Sequence, residues 1–206
     1  MVQAGGKRVR TWAPVSGCLH NCTYCWARKV AEGRLRHTAR YWDGFKPHLI
    51  EAELSKRFDK SSSPVFVSSM GDLFGEWVPA EWIEKALAVV RSWSETQFML
   101  LTKNPGRYQE FNLPPNVIAG ATIETNRLTP SSQAPSPWLR AYAMSHLRHP
   151  RKFVSLEPLM DFDLDTLVLW VKSIGPEFVY LGYDNWHHHL PEPPLAKTRA
   201  LIEALG

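Results

Sequence analysis

The sequence predicts an α/β fold: a partial (β/α)6 barrel of the TIM type, in which helices cover the outside of a parallel sheet. Six short segments are apolar and rich in β-branched residues, which is typical of strands that are buried on both faces. Each of them is followed by a helical segment, and strands that alternate with helices form parallel sheets. Because eight such units close a barrel, six units leave it open. The predicted strands are residues 9–13, 65–68, 97–101, 117–123, 152–156 and 178–181.

The helix that opens at Pro79 has the clearest apolar face at helical spacing. An extra amphipathic helix is predicted at about residues 46–58, between the first and second units, with a break at Ser61-Ser62-Ser63-Pro64. A short helix follows Asn104-Pro105, and the remaining helices are predicted at residues 25–33, 138–147, 164–173 and 195–205. Since no second boundary or internal repeat is visible, residues 1–206 are predicted to form a single domain.

Composition narrows the class of protein. Hydrophobic residues make up 44% and charged residues 21% of the chain, which are values of a globular protein. No stretch approaches 18 consecutive apolar residues, and residues 1–10 lack the apolar segment of a signal peptide. We therefore expect a cytoplasmic protein with no membrane partner. The net charge of +4 permits an anionic partner without requiring one.

All three cysteines lie within one short segment, Cys18-Leu19-His20-Asn21-Cys22-Thr23-Tyr24-Cys25. An odd, clustered set is a poor disulfide framework and a good metal site. With the spacing C-x3-C-x2-C, three thiolates can bind three irons of a cubane cluster and leave the fourth iron open, whereas closed iron–sulfur sites use four cysteines. The alternative is a zinc site with His20 or His37 as fourth ligand.

This motif, with Tyr24 before the last cysteine and a strand in front of the loop, resembles the signature of the radical S-adenosylmethionine (SAM) superfamily. The resemblance implies a six-unit partial barrel, a [4Fe–4S] cluster on Cys18, Cys22 and Cys25, and SAM bound to the open iron. One electron, from a reductant such as flavodoxin or ferredoxin, then splits SAM into methionine and a 5′-deoxyadenosyl radical that abstracts hydrogen from the substrate. One branch of this superfamily, small, often phage-associated and of unassigned function, has similar sequences at four places in the chain: residues 69–79, 100–105, 113–117 and 155–159.

Polar residues at the strand ends match the family's SAM contacts. Gly71-Asp72 corresponds loosely to the Gly-Gly-Glu-like motif that receives the SAM amino group, Lys103 is expected to meet the carboxylate, and Glu124 the ribose. The alternatives are ordinary strand-end turns, a surface lysine, or an ion pair of Glu157 with Lys103 or Arg151. The predicted cofactor-binding residues are Tyr24, Ser69, Met70, Gly71, Asp72, Thr102, Lys103, Glu124, Asn126 and Glu157.

The sixth strand ends in Leu181-Gly182-Tyr183-Asp184-Asn185, where that branch commonly has a Gly-Gly-Glu-Ser-like sequence. The open edge of a partial barrel faces this segment, so we expect the substrate to contact Tyr183, Asp184, Asn185 and Trp186.

Three hypotheses remain open for the function. Nucleic acid or a nucleotide is the slightly favoured substrate, because Tyr41 and Trp42 adjoin the basic residues 29–40. The alternative for this segment is a solvated basic helix that covers the core. The second hypothesis is a small molecule or peptide, in a pocket lined by Trp77, Tyr183, Trp186 and the histidines 187–189. The third is a non-catalytic iron–sulfur or SAM-binding protein, although an electron carrier normally closes its cluster with four ligands.

Overall fold

The computed structural model describes residues 3–4, 7–60 and 64–206. Six parallel strands form its central sheet, and they lie side by side in the order in which they occur along the chain. The first and last strands are the two edges and do not pair with each other within the described residues. The predicted fold class is thereby confirmed, as an open sheet. The strands are β1 (Arg10–Trp12), β2 (Val65–Val67), β3 (Phe98–Thr102), β4 (Val117–Thr122), β5 (Lys152–Leu156) and β6 (Phe178–Leu181).

Helices connect the strands. Pro79 precedes the first turn of α3 as its N-cap, not its first helical residue as predicted. The segment after Asn104 is a 3-10 helix, Pro105–Glu110. The α-helices are α1 (Trp26–Glu32), α2 (Glu51–Leu54), α3 (Ala80–Ser92), α4 (Pro137–His146), α5 (Leu164–Ile174) and α6 (Leu195–Leu205).

The extra helix predicted at residues 46–58 is wrong in extent. Only the four residues of α2 are helical, because His48–Leu49 is a short strand that pairs antiparallel with Val15–Ser16. The backbone N–H of Ile50 also donates to the carbonyl of Pro14, at 2.8 Å. This segment therefore braces the chain just before the cysteine loop. Ser61, Ser62 and Ser63, where the break was predicted, lie outside the described residues.

Side chains alternate between the two faces of the sheet, as the period of a strand requires. Val65, Phe98 and Val117 point towards the helices and join the main core. Their neighbours Phe66, Met99 and Ile118 form a separate cluster with Phe153 on the inner face. None of the helices in the described part of the chain is long and apolar enough to cross a membrane.

Candidate active site

A cavity of about 280 Å³ lies where the carboxyl ends of the six strands meet. Ligands of open α/β sheets bind at this edge. The segment after each strand, or the strand's own last residue, contributes to the wall. The residues concerned are Cys18, Cys22, Tyr24 and Cys25 after β1, Ser69, Gly71 and Asp72 after β2, Thr102 and Lys103 at β3, Thr122 of β4, Glu157 after β5, and Tyr183, Asp184, Asn185 and Trp186 after β6.

The cysteine loop begins at Gly17, which needs to be glycine. Its φ is +89°, and a Cβ there would lie 2.2 Å from the carbonyl oxygen of Lys46. The backbone N–H of Cys18 donates to the carbonyl of Phe45 at 3.1 Å, which fixes the start of the loop. At its end, the Cys25 sulfur accepts from the backbone N–H of Arg28 and so caps α1.

The loop around residues 128–137 clamps the cysteine loop from the other side. The backbone N–H of Thr23 donates to the carbonyl of Ser131 at 2.9 Å, and the N–H of Gln133 donates to the carbonyl of His20 at 2.7 Å. The three thiols are free and partly buried. Their positions are thus set by backbone hydrogen bonds and not by a disulfide.

Burial raises the pKa of the Cys18 thiol, and the charge of Asp72 raises it further. Burial also raises the pKa of Cys22, and the charge of Lys103 opposes this. A metal centre that binds these sulfurs must therefore supply positive charge to displace their protons, as iron does.

No group of three or more Cys, His, Asp or Glu side chains in the described residues is placed to hold a single metal ion. His20, one candidate zinc ligand, is buried and instead forms a hydrogen bond between its Nε2 and Asp72 Oδ2 at 2.9 Å. His37, the other candidate, is exposed. The cubane cluster and the zinc site therefore both stay predictions.

Asp72 joins three loops of the site. Its carboxylate accepts from His20 Nε2 at 2.9 Å, Thr102 Oγ1 at 2.7 Å, and the backbone N–H groups of Phe74 and Lys103, both at 3.0 Å. Burial alone would raise the pKa of Asp72, but these hydrogen bonds lower it. A carboxylate has about four acceptor positions. Asp72 is therefore fully engaged in holding the loops after β1, β2 and β3 together.

Glu124 is the centre of a second buried network. Its side chain is 1% exposed, and it accepts from Arg140 Nη1 at 2.6 Å and from the Tyr24 hydroxyl. Lys103 Nζ lies 3.4 Å from the same carboxylate and 5.4 Å from the centre of the Tyr24 ring. Burial alone would raise the pKa of Glu124, but Lys103 and Arg140 lower it. Tyr24 and Lys103 thus stand on the cavity wall with Glu124 behind them.

The structure brings seven of the ten predicted cofactor-binding residues to the cavity: Tyr24, Ser69, Gly71, Asp72, Thr102, Lys103 and Glu157. The other three do not line it. Met70 packs on the Tyr41 hydroxyl, Glu124 is enclosed by its network, and Asn126 exchanges hydrogen bonds with the backbone of Asp163. Contact of these residues with SAM stays a prediction.

Glu157 does not form either of the ion pairs considered for it. Lys103 pairs with Glu124, and Arg151 pairs with Glu177 at 2.7 Å. Within the described residues, Glu157 accepts a hydrogen bond from Ser155 Oγ at 3.1 Å and has no cationic partner. It therefore presents an exposed carboxylate to the cavity.

All four residues of the predicted substrate segment line the cavity. Asp184 orders the segment itself, because it accepts from the backbone N–H of Trp186 at 3.0 Å and lies 2.8 Å from His188 Nδ1. The Tyr183 hydroxyl is 2.5 Å from Thr198 Oγ1 of α6. The histidine tract is thus a loop braced by Asp184, and the substrate contacts of the segment stay predictions.

Comparison with known proteins places the chain in a family. A family profile described as "Protein of unknown function (DUF5131)" matches residues 8–177. The chain belongs to this family. No curated protein matches it.

Two solved structures share the fold of this DUF5131 protein. One is a mutant spore photoproduct lyase with bound AdoMet and dinucleoside spore photoproduct, with a TM-score of 0.60 and 12% identity over 94% of this chain and 60% of that one. The other is a mutant of the same enzyme with dinucleoside spore photoproduct, with a TM-score of 0.61 and 11% identity over 92% of this chain and 58% of that one. The DUF5131 protein thus spans about 60% of the length of these structures.

Two residues assigned to a ligand from the sequence lie elsewhere in this DUF5131 protein. Tyr41, expected to stack on a substrate, is only 3% exposed and accepts a hydrogen bond from Ser16 Oγ at 2.9 Å. Trp77, expected in the pocket, packs edge-on against His20 with ring centres 4.7 Å apart and does not line the cavity. Both side chains pack against the cysteine loop or against residues next to it.

Three residues at or beside the cavity were not predicted from the sequence. Ser68 lines the cavity with a positive φ of 55°, and its buried hydroxyl has no hydrogen-bond partner among the described residues. Arg140 anchors Glu124 from α4, and Trp26 stacks on Trp186 at the cavity mouth. Only Trp26 carried a signal in the sequence, its position directly after Cys25.

Proposed function

We propose that this DUF5131 protein is a radical SAM enzyme, in which Cys18, Cys22 and Cys25 hold one [4Fe–4S] cluster and SAM occupies the cavity beside them. One observation carries the proposal: three cysteines with the spacing C-x3-C-x2-C line a cavity to which all six strands of an open parallel sheet contribute. When bound, the cluster supplies the electron that splits SAM into methionine and a 5′-deoxyadenosyl radical, which abstracts hydrogen from the substrate.

The similarity in fold supports this proposal. One of the two similar structures contains bound AdoMet and a dinucleoside photoproduct together, and its fold matches 94% of this chain. A fold by itself does not determine a function. The proposal therefore depends on the cysteine motif at the edge of the sheet where ligands bind.

The protein's own charges suit the two ends of an amino acid moiety such as that of SAM. Lys103 is a cation on the cavity wall, held in place by Glu124 and Tyr24, and would bind a carboxylate. Glu157 is the exposed carboxylate of the cavity and would bind an ammonium or a hydroxyl. Asp72 and Glu124 hold Lys103 in place, because Asp72 accepts from its backbone N–H and Glu124 pairs with its ammonium.

The substrate would enter beside β6, where Tyr183, Asn185 and Trp186 line the cavity. Their side chains can exclude water from a reactive radical and orient a polar group of the substrate. A low-potential electron donor such as flavodoxin or ferredoxin would act as the physiological partner.

The test is SAM cleavage by the reconstituted protein. The chain is loaded anaerobically with iron and sulfide, reduced with dithionite and given SAM, and 5′-deoxyadenosine and methionine are measured by mass spectrometry. We expect equal amounts of both products, and none from the Cys18→Ala, Cys22→Ala or Cys25→Ala variants. Thr23→Ala, which changes an exposed residue of the same loop, is the control and should retain cleavage.

Zinc without iron in the reconstituted protein would contradict the proposal. So would a protein that carries a full cluster and forms no 5′-deoxyadenosine, since that result would favour the non-catalytic alternative.

A further inference from the structure

Two tryptophans far apart in the chain meet at the mouth of the cavity. Trp26 is the first residue of α1, and Trp186 lies in the loop after β6. Their rings are nearly parallel, with centroids 6.3 Å apart and an interplanar angle of 13°. Both side chains line the same cavity as the three thiols. Since the sheet is open between its two edge strands, the pair bridges the loops that follow these strands.

The pair is not core packing. Trp26 is 40% exposed and Trp186 is 43% exposed, whereas Trp12 in the core is 1% exposed. Burying such large aromatic surfaces is favourable, so leaving both open to solvent beside a cavity is typical of a binding surface. The surface offers flat ring faces, which suit a flat ligand.

A positive charge lies beside the pair. Lys29 lies one turn after Trp26 on α1, and its ammonium is 5.9 Å from the centre of the Trp186 ring. Arg34 and Arg36 follow on the same connection, and all three cations are exposed. Within the described residues none of the three has an ion-pair partner, whereas Arg40 nearby is paired with Glu53. We call Trp26, Lys29 and Trp186 the basic aromatic rim.

Aromatic faces combined with unpaired cations suit a ligand with bases and phosphates. Bases in a duplex are stacked on each other and cannot stack on the protein, so the strand must be single or locally opened. A strand is longer than the cavity, so one nucleotide would enter it while its neighbours lie on the rim.

We infer that the basic aromatic rim binds single-stranded nucleic acid, so that a nucleotide within a strand is the substrate of the proposed radical SAM reaction. The reaction on the bound nucleotide rests on the proposed function, whereas the binding of the strand rests only on the rim.

The experiment measures binding of a fluorescein-labelled single-stranded DNA to the reconstituted protein by fluorescence anisotropy. A matched RNA strand, a DNA duplex, a strand of abasic sites and a free mononucleotide are the other arms. We expect the single strands to bind more tightly than the duplex and the abasic strand, and binding to weaken as salt is raised. Comparison of the DNA, RNA and mononucleotide affinities shows which kind of nucleic acid or nucleotide the rim prefers.

The variants test the rim directly. Trp26→Ala and Trp186→Ala should each weaken binding roughly 5- to 150-fold, the loss of one stacked base, whereas Trp186→Phe should retain most of the affinity. Lys29→Gln should reduce the slope of log K against log salt by about 0.7. Trp138→Ala is the matched control, because Trp138 is 52% exposed and stacked on Tyr142 but lies outside the cavity lining. Lys172→Gln, an exposed lysine on α5, is the control for charge.

Equal affinity for the abasic strand and the intact strand would overturn the inference. Equal losses in Trp26→Ala and Trp138→Ala would do the same, with circular dichroism used to verify that each variant is folded. A protein that forms 5′-deoxyadenosine and binds no strand would refute the inference and leave the proposed function standing. A protein that binds strands through the rim and never cleaves SAM would refute the proposed function alone.

Discussion

Removal of Arg140 should destabilise the fold strongly, because it leaves a charged Glu124 buried without its nearest cationic partner. The two side chains are 3% and 1% exposed, their N–O distance is 2.6 Å, and the same Arg140 nitrogen also donates to the carbonyl of Thr122 at 2.7 Å. Breaking a buried ion pair from one side costs about 3–5 kcal/mol. Lys103 and Tyr24 stay beside Glu124, so we expect the lower end, about 3 kcal/mol, for Arg140→Met.

The assay is thermal and urea unfolding of the reduced apoprotein, followed by circular dichroism. For a chain of this length 1 kcal/mol corresponds to about 2–4 °C, so Tm should fall by about 6–12 °C. Arg151→Met is the control: Arg151 binds its partner Glu177 through two nitrogens, at 2.7 and 3.0 Å, but the side chains are 28% and 37% exposed. An exposed pair of this kind contributes about 0–1 kcal/mol.

Equal losses of stability in Arg140→Met and Arg151→Met would refute the reasoning, because burial would then make no difference. The double variant Glu124→Gln with Arg140→Met should recover part of the loss, since it removes the unpaired charge. Failure to recover any of it would assign the effect to the lost packing of Arg140 and not to the charge of Glu124.

Three further predictions concern acid stability and two glycines. The pKa of Glu124 is lower in the folded than in the unfolded state, so its stabilisation is complete above its ordinary pKa of about 4.3 and is lost as the pH falls through the folded value. In urea titrations between pH 6 and 3, Glu124→Gln should therefore lose less stability than the wild type. Equal losses in the two proteins would exclude this role of Glu124. Gly120→Ala places a Cβ 2.2 Å from the buried Phe153 ring and should cost about 1–3 kcal/mol in urea unfolding, a prediction that wild-type stability would contradict. Gly182→Ala places a Cβ 2.8 Å from Glu157 Oε1, and should weaken SAM binding in equilibrium dialysis with little change in Tm; unchanged SAM affinity would show that Glu157 does not serve SAM.

The sheet could be predicted because its strands are local and apolar. The predicted bounds 152–156 and 178–181 agree with those of β5 and β6. The extra helix at 46–58 failed for the opposite reason. Its amphipathic pattern is local, but His48 and Leu49 pair with residues before the cysteine loop, and propensity alone does not reveal such a distant partner.

The site was predictable where chemistry depends on strand ends, since parallel strands bring their carboxyl ends to one edge. Lys103 and Glu157 were expected at this edge because they follow strands, and both line the cavity. Glu124 did not, because it is enclosed by Arg140, whose place on α4 the sequence does not reveal. The contact of Trp26 with Trp186 is equally hidden, since it joins the first and last units of the sheet.

The most direct test of the central claim is the electron paramagnetic resonance spectrum of the reduced, reconstituted protein before and after addition of SAM. If Cys18, Cys22 and Cys25 leave one iron of a [4Fe–4S] cluster open, the spectrum will show one reduced cluster per chain, and SAM will shift its g-values. A cluster signal that SAM leaves unchanged, or a reconstituted chain without iron, would contradict the account.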